Sequence, residues 1–286
     1  MTGRVPKCRV TKPGAYQLAE AAYHADPVPG GSLSCSGAKL LLPPSCPAIF
    51  AWSRDHPPEP KQVLEFGSAA HREVLGTGWP LEVWPGGDWT RLVDGVNPQQ
   101  WRKEQRAAGR VPVLAKEQQQ IKAMAAAIAA HPAAAVLLQA EEVMAELSLF
   151  WQDDEFGIWR RARMDAVRLQ SRVVIVDYKT ARSADPEEFA KSAANYRYHM
   201  QDDWYRTAVT RTLGDIDPLF LFVAQEKTEP YLTGIYELDG EAKWRGAERN
   251  AAACRKYARC VASGEWPGYQ LDDQLATTIS LPRWGL

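Results

Sequence analysis

The sequence predicts a mixed α/β fold, with a central mixed sheet flanked by helices and a helical N-terminal portion. Three observations predict it. Residues 144–151 and 157–168 alternate between apolar and polar side chains, as half-buried strands do. Residues 172–179 (RVVIVDYK) form a β-branched run that is typical of a strand buried on both faces. Segments with helical periodicity lie before these strands and alternate with two further strands after them, an order that packs helices against a sheet.

The 286 residues are expected to form one domain, in which residues 1–60 are a helical N-terminal portion and residues 61–286 are the core. The first 60 residues are rich in Pro, Gly and Ser. Only short helices are therefore predicted there, at 14–24 and at 36–42, the second after the cap-like Ser34.

The core begins with a predicted helix at 61–75, whose small residues G-S-A-A would let another backbone come close. Residues 76–112 are expected to be an irregular or partly helical insertion that carries four tryptophans. Alanine-rich helices are predicted at 115–130 and at about 132–139, separated by a proline break.

The C-terminal part is predicted to contain a helix, two strands and a final helix, in that order. A long helix at 186–213 begins after the capping residue Asp185 and ends before Gly214. The runs PLFLFVAQE and YLTGIYEL are typical of strands, and residues 240–263 predict a final helix.

The composition limits the classes of function. The 34 basic and 35 acidic side chains leave a formal net charge of −1. This balance excludes a polybasic protein that coats nucleic acid by bulk charge, but not an enzyme whose basic residues line one groove. No apolar run approaches the roughly 18 residues that span a bilayer, and the basic N-terminus leads into no apolar segment. We therefore expect no membrane segment, no secretory signal and a cytoplasmic location.

The cysteines are Cys8, Cys35, Cys46, Cys254 and Cys260. An odd number in a chain without a secretory signal argues against a disulfide framework. Cys254 and Cys260 are six residues apart on a predicted helix, which is not a CxxC pair. An iron–sulfur cluster needs four ligands, so the scattered cysteines are interpreted as ordinary thiols.

Two carboxylates and a lysine are predicted to converge at the end of the apolar strand. Asp177 and Lys179 are two residues apart in a strand, so both side chains project from one face. Asp165 can lie across from them if the preceding strand forms a hairpin. Mg²⁺ accepts one or two carboxylates while keeping water and phosphate oxygens. The ammonium could then orient or deprotonate an attacking water, or stabilise developing charge. The alternative is an exposed strand end with a surface Asp–Lys pair.

Two further features lie on predicted helices. Tyr198, Gln201 and Tyr205 fall at i, i+3 and i+7 and so share one helix face. The alternative is an amphipathic helix whose tyrosines cap the core. His71, four residues after Gly67, is either a candidate ligand or a structural histidine.

Four short motifs occur in order along the chain: G-S-A-A-H at 67–71, R-x-D at 163–165, V-D-Y-K-T at 176–180 and Q-x-x-x-Y at 201–205. Together they resemble the PD-(D/E)XK nuclease superfamily. Within it the sequence is most similar to the RecE-type (exodeoxyribonuclease VIII-like) phage and prophage exonucleases, related to the RecB nuclease domain and lambda exonuclease. Further similarity extends over 32–52 and 266–269. Met164 stands in place of the proline of the superfamily motif, and the second acid is Asp177.

The resemblance implies a restriction-endonuclease-like core and a metal site. His71, Asp165 and Asp177, together with the Tyr178 backbone carbonyl, would bind Mg²⁺ or Mn²⁺. Lys179 would be the catalytic lysine.

The resemblance also implies supporting roles for neighbouring residues. Gln201 and Tyr205 would position the lysine and the DNA phosphate. Glu146 would be an accessory carboxylate, or else a solvated strand residue. Arg161 and Arg163 share a strand face with the first acid, where they would contact phosphate or balance the carboxylates.

Some relatives hold an iron–sulfur cluster, and the phrase SCPAIF and the spacing of Cys254 and Cys260 are similar to theirs. The remaining ligand would fall near Ala251, where there is no cysteine. This departure argues against a cluster.

The function that the resemblance implies is a Mg²⁺-dependent exonuclease that degrades one strand of duplex DNA from an end, 5′→3′. It would leave 3′ overhangs for a single-strand annealing recombinase. A ring-shaped homo-oligomer would be expected, encoded by a phage or prophage and acting in the cytoplasm of a bacterial host. The basic stretch 102–122 would face the DNA, or else be a solvated helix face.

Two alternatives stay open at this point. One is a single-strand or structure-specific nuclease of the same fold. The other is a DNA-end binding or recombinase-loading module without turnover.

Overall fold

The structure is a computed structural model that describes residues 9–56, 62–270 and 275–281. Its strands are β1 (Gly14–Tyr16), β2 (Leu33–Ser34), β3 (Leu81–Trp84), β4 (Val111–Leu114), β5 (Val143–Asp153), β6 (Ile158–Arg168), β7 (Val174–Ala181), β8 (Leu219–Glu226) and β9 (Thr233–Tyr236). Its helices are α1 (Glu20–His24), α2 (Cys35–Leu40), α3 (Pro47–Asp55), α4 (Gln62–Leu75), α5 (Pro98–Ala107), α6 (Ala115–Ala130), α7 (Pro132–Gln139), α8 (Pro186–Asn195), α9 (Tyr198–Leu213) and α10 (Gly240–Ser263). Two sequence assignments, Cys8 and the first residue of the helix predicted at 61–75, lie outside the described residues.

Seven strands form one mixed sheet in the order β1-β5-β6-β7-β8-β9, with β2 pairing beside β6. β5 and β6 form a long antiparallel hairpin, while β7 and β8 run parallel because α8 and α9 cross over between them. β3 and β4 form a separate two-stranded parallel sheet. The predicted mixed α/β fold is confirmed.

An apolar cluster covers each face of the sheet. On one face Trp204 of α9 packs with Phe220 and Phe222 of β8, and α2 and α10 complete the layer. On the other face Tyr178 of β7 packs with Ile121 of α6, beside α4 and α7. These side chains are fully buried, and each contributes about 1.5–3 kcal/mol relative to an exposed position. Because Tyr178 lies on the α4 side, its neighbours Asp177 and Lys179 project toward α9.

The ladder between β6 and β7 is short, and this positions the site. It runs only from Arg168↔Val174 to Ala166↔Val176. The next residue of each strand is an acid, Asp165 on β6 and Asp177 on β7, and there the two strands separate. The separation opens a gap at the sheet in which both carboxylates lie.

Several predicted elements are confirmed. The helices at 115–130, 132–139 and 240–263 have the predicted bounds. Ser34 caps α2 by accepting from the Gly37 N–H at 3.1 Å, and Gly214 ends α9 in the left-handed conformation.

Two predictions were wrong. Residues 14–24 are not one helix, because residues 14–16 pair with β5 and only α1 is helical. The helix at 186–213 is broken, since Arg197 has a φ of 56° and its guanidinium donates to the carbonyls of Lys39 and Pro43. The insertion at 76–112 is partly helical, which is one of the two predicted forms, and it also contains β3 and the start of β4.

Among the described residues no single helix is long and apolar enough to cross a membrane; only the bent pair α6–α7, with axes at 104°, passes such a test by length and composition. The four described cysteines are free and buried.

Candidate active site

Asp177 and Lys179 form the centre of the site on β7. The Lys179 Nζ lies 2.5 Å from Asp177 Oδ2, as their shared strand face predicts. Gln201 of α9 donates a hydrogen bond to the other oxygen, Asp177 Oδ1. Asp177 is only 1% exposed, so a lysine and an amide fix its carboxylate in one orientation.

Asp165 lies across the gap, where β6 leaves β7. Its Oδ2 accepts a hydrogen bond of 2.9 Å from the Tyr178 backbone N–H. His71 of α4 places Nδ1 3.5 Å from the same oxygen, and its ring packs edge-on against Tyr178 at 5.0 Å between centroids. His71, Asp165, Asp177, Tyr178 and Lys179 are thus brought together.

The electrostatics of the site reflect crowded carboxylates. Burial, the Asp177 carboxylate and the Glu146 carboxylate raise the pKa of Asp165 well above its usual range, although Lys179 opposes them. Burial lowers the pKa of Lys179, but Asp177 and Asp165 outweigh it, so the net pKa is raised. Burial and the nearby Lys179 lower the pKa of His71 to about 4, which leaves a neutral imidazole with a lone pair available to a metal ion.

Glu146 lies beside Asp165 and has an unusual backbone. The β5–β6 pairing skips it, passing from Ala145↔Ala166 to Leu147↔Met164, and its φ is 59°. A non-glycine residue in this conformation costs about 1–2 kcal/mol, and such residues concentrate at functional sites. Its side chain is 24% exposed and pairs with Arg163, so it is not a freely solvated strand residue.

Arg161 and Arg163 are both engaged by protein groups. Arg161 Nη1 lies 2.7 Å from an Asp26 carboxylate oxygen and also donates to Ser32. Arg163 bonds to Glu146 and donates at 2.8 Å to the Leu18 carbonyl. In this structure Arg161 thus pairs with Asp26 and Arg163 pairs with Glu146.

The face of α9 that the sequence predicts is present, but its contacts differ from expectation. Gln201 holds Asp177 rather than Lys179. Tyr205 is half-buried, with its ring 5.9 Å from that of Phe220. Burial, Tyr23 and Asp177 raise its pKa well above the usual value, so the phenol is neutral.

Lys39 of α2 is a site neighbour that the sequence analysis missed. Its Nζ lies 5.8 Å from the centre of the Tyr198 ring, and the Lys179 Nζ lies 5.0 Å from the same ring. The two residues are 140 positions apart in the chain, and a single lysine in a short helix carries no pattern that would indicate this proximity.

The basic stretch 102–122 is only partly available to a ligand. Arg102 and Arg106 of α5 both pair with the buried Glu65 of α4. Arg110 lies 3.3 Å from Glu82. The stretch also contains exposed lysines, namely Lys103, Lys116 and Lys122.

The donor set suits a magnesium ion better than a structural zinc ion. Within the described ranges, no three His, Cys, Asp or Glu side chains are grouped closely enough to hold an ion by themselves, as a structural zinc site requires. Mg²⁺ needs only one or two carboxylates and keeps its waters. Asp165 and Asp177, with the Tyr178 carbonyl and the neutral His71, satisfy that requirement, and a cation would relieve the crowding that raises the pKa of Asp165.

Comparisons with known proteins agree with this fold. The crystal structure of the "Putative exonuclease" from Eubacterium rectale is similar, with a TM-score of 0.61 and 16% identity over 93% of this chain and 97% of that chain. At this identity the likeness shows the fold alone. A second structure, of the protein SSO0001, matches with a TM-score of 0.28 and 16% identity over 67% of this chain and 86% of that one, too weak to indicate a shared fold. No curated protein is significantly similar in sequence.

The family described as "PDDEXK-like domain of unknown function (DUF3799)" matches residues 34–272. This range includes both acids, the lysine and His71. The chain therefore belongs to this PDDEXK-like family.

Proposed function

We propose that this protein is a metal-dependent exonuclease that degrades one strand of linear duplex DNA from an end, in the 5′→3′ direction, leaving a 3′ overhang. The observation that carries the proposal is the Lys179 ammonium 2.5 Å from Asp177, facing Asp165 where β6 and β7 separate. A purely binding role needs no such group. The fold shared with the Eubacterium rectale "Putative exonuclease" supports it.

The residues of the site have separable tasks in phosphodiester hydrolysis. Asp165, Asp177, His71 and the Tyr178 carbonyl would hold Mg²⁺ or Mn²⁺, which supplies Lewis acidity to a phosphate oxygen and lowers the pKa of a water. Lys179 can donate hydrogen bonds to the attacking water and to the oxygens on which charge develops.

Gln201 and Tyr205 support the site without binding the metal ion. Gln201 keeps the Asp177 carboxylate in its orientation. Tyr205, a neutral phenol on the same helix face, can donate to a DNA phosphate.

The setting that goes with this activity is also a proposal, and it rests on the resemblance to RecE-type enzymes. Substrates would be duplex DNA ends in the cytoplasm of a bacterial host of a phage or prophage. The partner would be a single-strand annealing recombinase, and the protein would act as a homo-oligomeric ring.

The test is degradation of linear duplex DNA labelled at its 5′ or 3′ ends, with Mg²⁺ or with EDTA. Lys179→Ala should abolish cleavage. Lys191→Ala, which removes an exposed lysine paired with Glu188 at 2.6 Å, should leave it unchanged. We expect Mg²⁺-dependent loss of the 5′ label and no attack on closed circles. Binding of ends without cleavage under any divalent metal would refute the nuclease and favour a loading module.

A further inference from the structure

Two ammonium groups with different surroundings lie near the Tyr198 ring. Lys179 Nζ and Lys39 Nζ lie 5.0 Å and 5.8 Å from the ring centre, so they are at most about 11 Å apart. Lys179 is neutralised by Asp177. Lys39 is half-buried, and in the part of the chain that the structure describes it has no carboxylate within ion-pair distance; it donates instead to the Tyr196 carbonyl at 2.9 Å. A half-buried cation without a counter-ion favours an anion beside it.

The charges around Lys39 strengthen this preference. Burial lowers the pKa of Lys39; Cys35 and Asp177 oppose the shift, whereas Lys179 and Arg197 add to it. Burial lowers the pKa of His199 as well, and Arg249 and Lys39 lower it further. Positive charge is thus concentrated next to the catalytic lysine, on the side of the site formed by α2 and the start of α9.

An exposed aromatic ring lies beside this charge. Tyr196, at the break between α8 and α9, is 65% exposed and stacks on Tyr198 with 5.8 Å between ring centres and 23° between planes. Two hydrogen bonds hold this break against α2. The Lys39 ammonium donates to the Tyr196 carbonyl, and the Arg197 guanidinium donates to the Lys39 carbonyl at 2.8 Å. Tyr196 therefore presents a ring on an ordered support.

We propose that Lys39 and Tyr196 form a subsite for the nucleotide next to the scissile phosphate, with Lys39 binding its phosphate and Tyr196 stacking on its base. This inference rests on the proposed nuclease function. Aromatic rings that stack single bases are typical of sites for single-stranded nucleic acid, so in this proposal the subsite takes an unpaired base and the terminal base pair of a duplex opens as it enters.

The phosphate contact is tested by DNA binding without turnover. The affinity for a short fluorescent duplex, in EDTA, is measured against salt concentration for wild type, Lys39→Gln, Lys39→Arg and the control Lys191→Gln. Loss of one phosphate contact should reduce the slope of log affinity against log salt by about 1. We expect that reduction for Lys39→Gln only. A merely structural role of Lys39, acting through Tyr196, would weaken binding without changing the slope and would overturn the proposal.

The base contact is tested with oligo-dT and with duplexes that carry 2-aminopurine at the terminal position. Tyr196→Ala should weaken oligo-dT binding by about fivefold or more and abolish the fluorescence change of the terminal 2-aminopurine, while Tyr196→Phe should retain both. Equal affinities for Tyr196→Ala and wild type would overturn the subsite.

The subsite and the nuclease activity can fail separately. If the wild-type protein cleaves DNA but the Lys39→Gln variant shows the same salt slope as wild type, the subsite is refuted and the nuclease function stands. A reduced slope in a protein that never cleaves DNA refutes the nuclease, and with it the placement of Lys39 beside a scissile phosphate, and supports only a DNA phosphate contact at Lys39.

Discussion

Replacing Gly246 with alanine should destabilise the protein, although alanine is the better helix former. Gly246 is buried on α10 against the start of α9, and a Cβ there would lie 2.1 Å from the His199 carbonyl oxygen and 2.7 Å from its carbon. The group in the way is backbone, which cannot rotate aside, so the two helices must separate by roughly 1 Å. We take the upper end of the usual overpacking cost, about 3 kcal/mol. A helix-propensity gain of about 1 kcal/mol reduces the expected loss to about 2 kcal/mol.

The assay is urea and thermal unfolding, with Gly67→Ala as the matched control. A Cβ at Gly67, inside α4, would lie 3.7 Å from Thr180 Oγ1, an ordinary contact. This variant should gain stability by up to about 1 kcal/mol, whereas Gly246→Ala should lose several degrees of melting temperature. Equal or higher stability for Gly246→Ala would refute the argument from close helix approach.

Three further outcomes are expected. Glu65→Ala leaves Arg102 and Arg106 without their buried partner and should cost about 3 kcal/mol in urea unfolding; a loss below 1 kcal/mol would show that the arginines reach other partners. Mg²⁺ or Mn²⁺ should raise the melting temperature of wild type but not of Asp165→Asn, since the cation relieves crowded carboxylates; an equal shift in both would place the metal elsewhere. Burial raises the pKa of Cys254 to about 12, so iodoacetamide should label this thiol only after the protein unfolds. Labelling of Cys254 in the native protein would contradict this expectation.

The sequence predicts a structural feature well when the residues that determine the feature are close together in the chain. The helix at 240–263 follows from its own periodicity and from Gly264, which ends it in a left-handed conformation. The shared face of Asp177 and Lys179 follows from strand alternation alone. The break at Arg197 does not, because its cause is the carbonyls of Lys39 and Pro43, more than 150 residues away.

The same limit applies to the site. A hairpin places Asp165 near Asp177, but only the tertiary structure shows that the strands separate there and that Tyr178 N–H binds the carboxylate. The role of Gln201 as a partner of Asp177 depends on how α9 crosses the sheet. No periodicity in the sequence contains that information.

The parallel pairing of β7 with β8 determines the stage of synthesis at which the candidate site can assemble. Gln201 meets Asp177 only after α8 and α9 have crossed over and β8 has joined the sheet, and α9 is in turn covered by α10. Long-range strand pairing of this kind forms late. A nascent chain in which α10 has not yet been made therefore carries both acids without the complete scaffold that orients them.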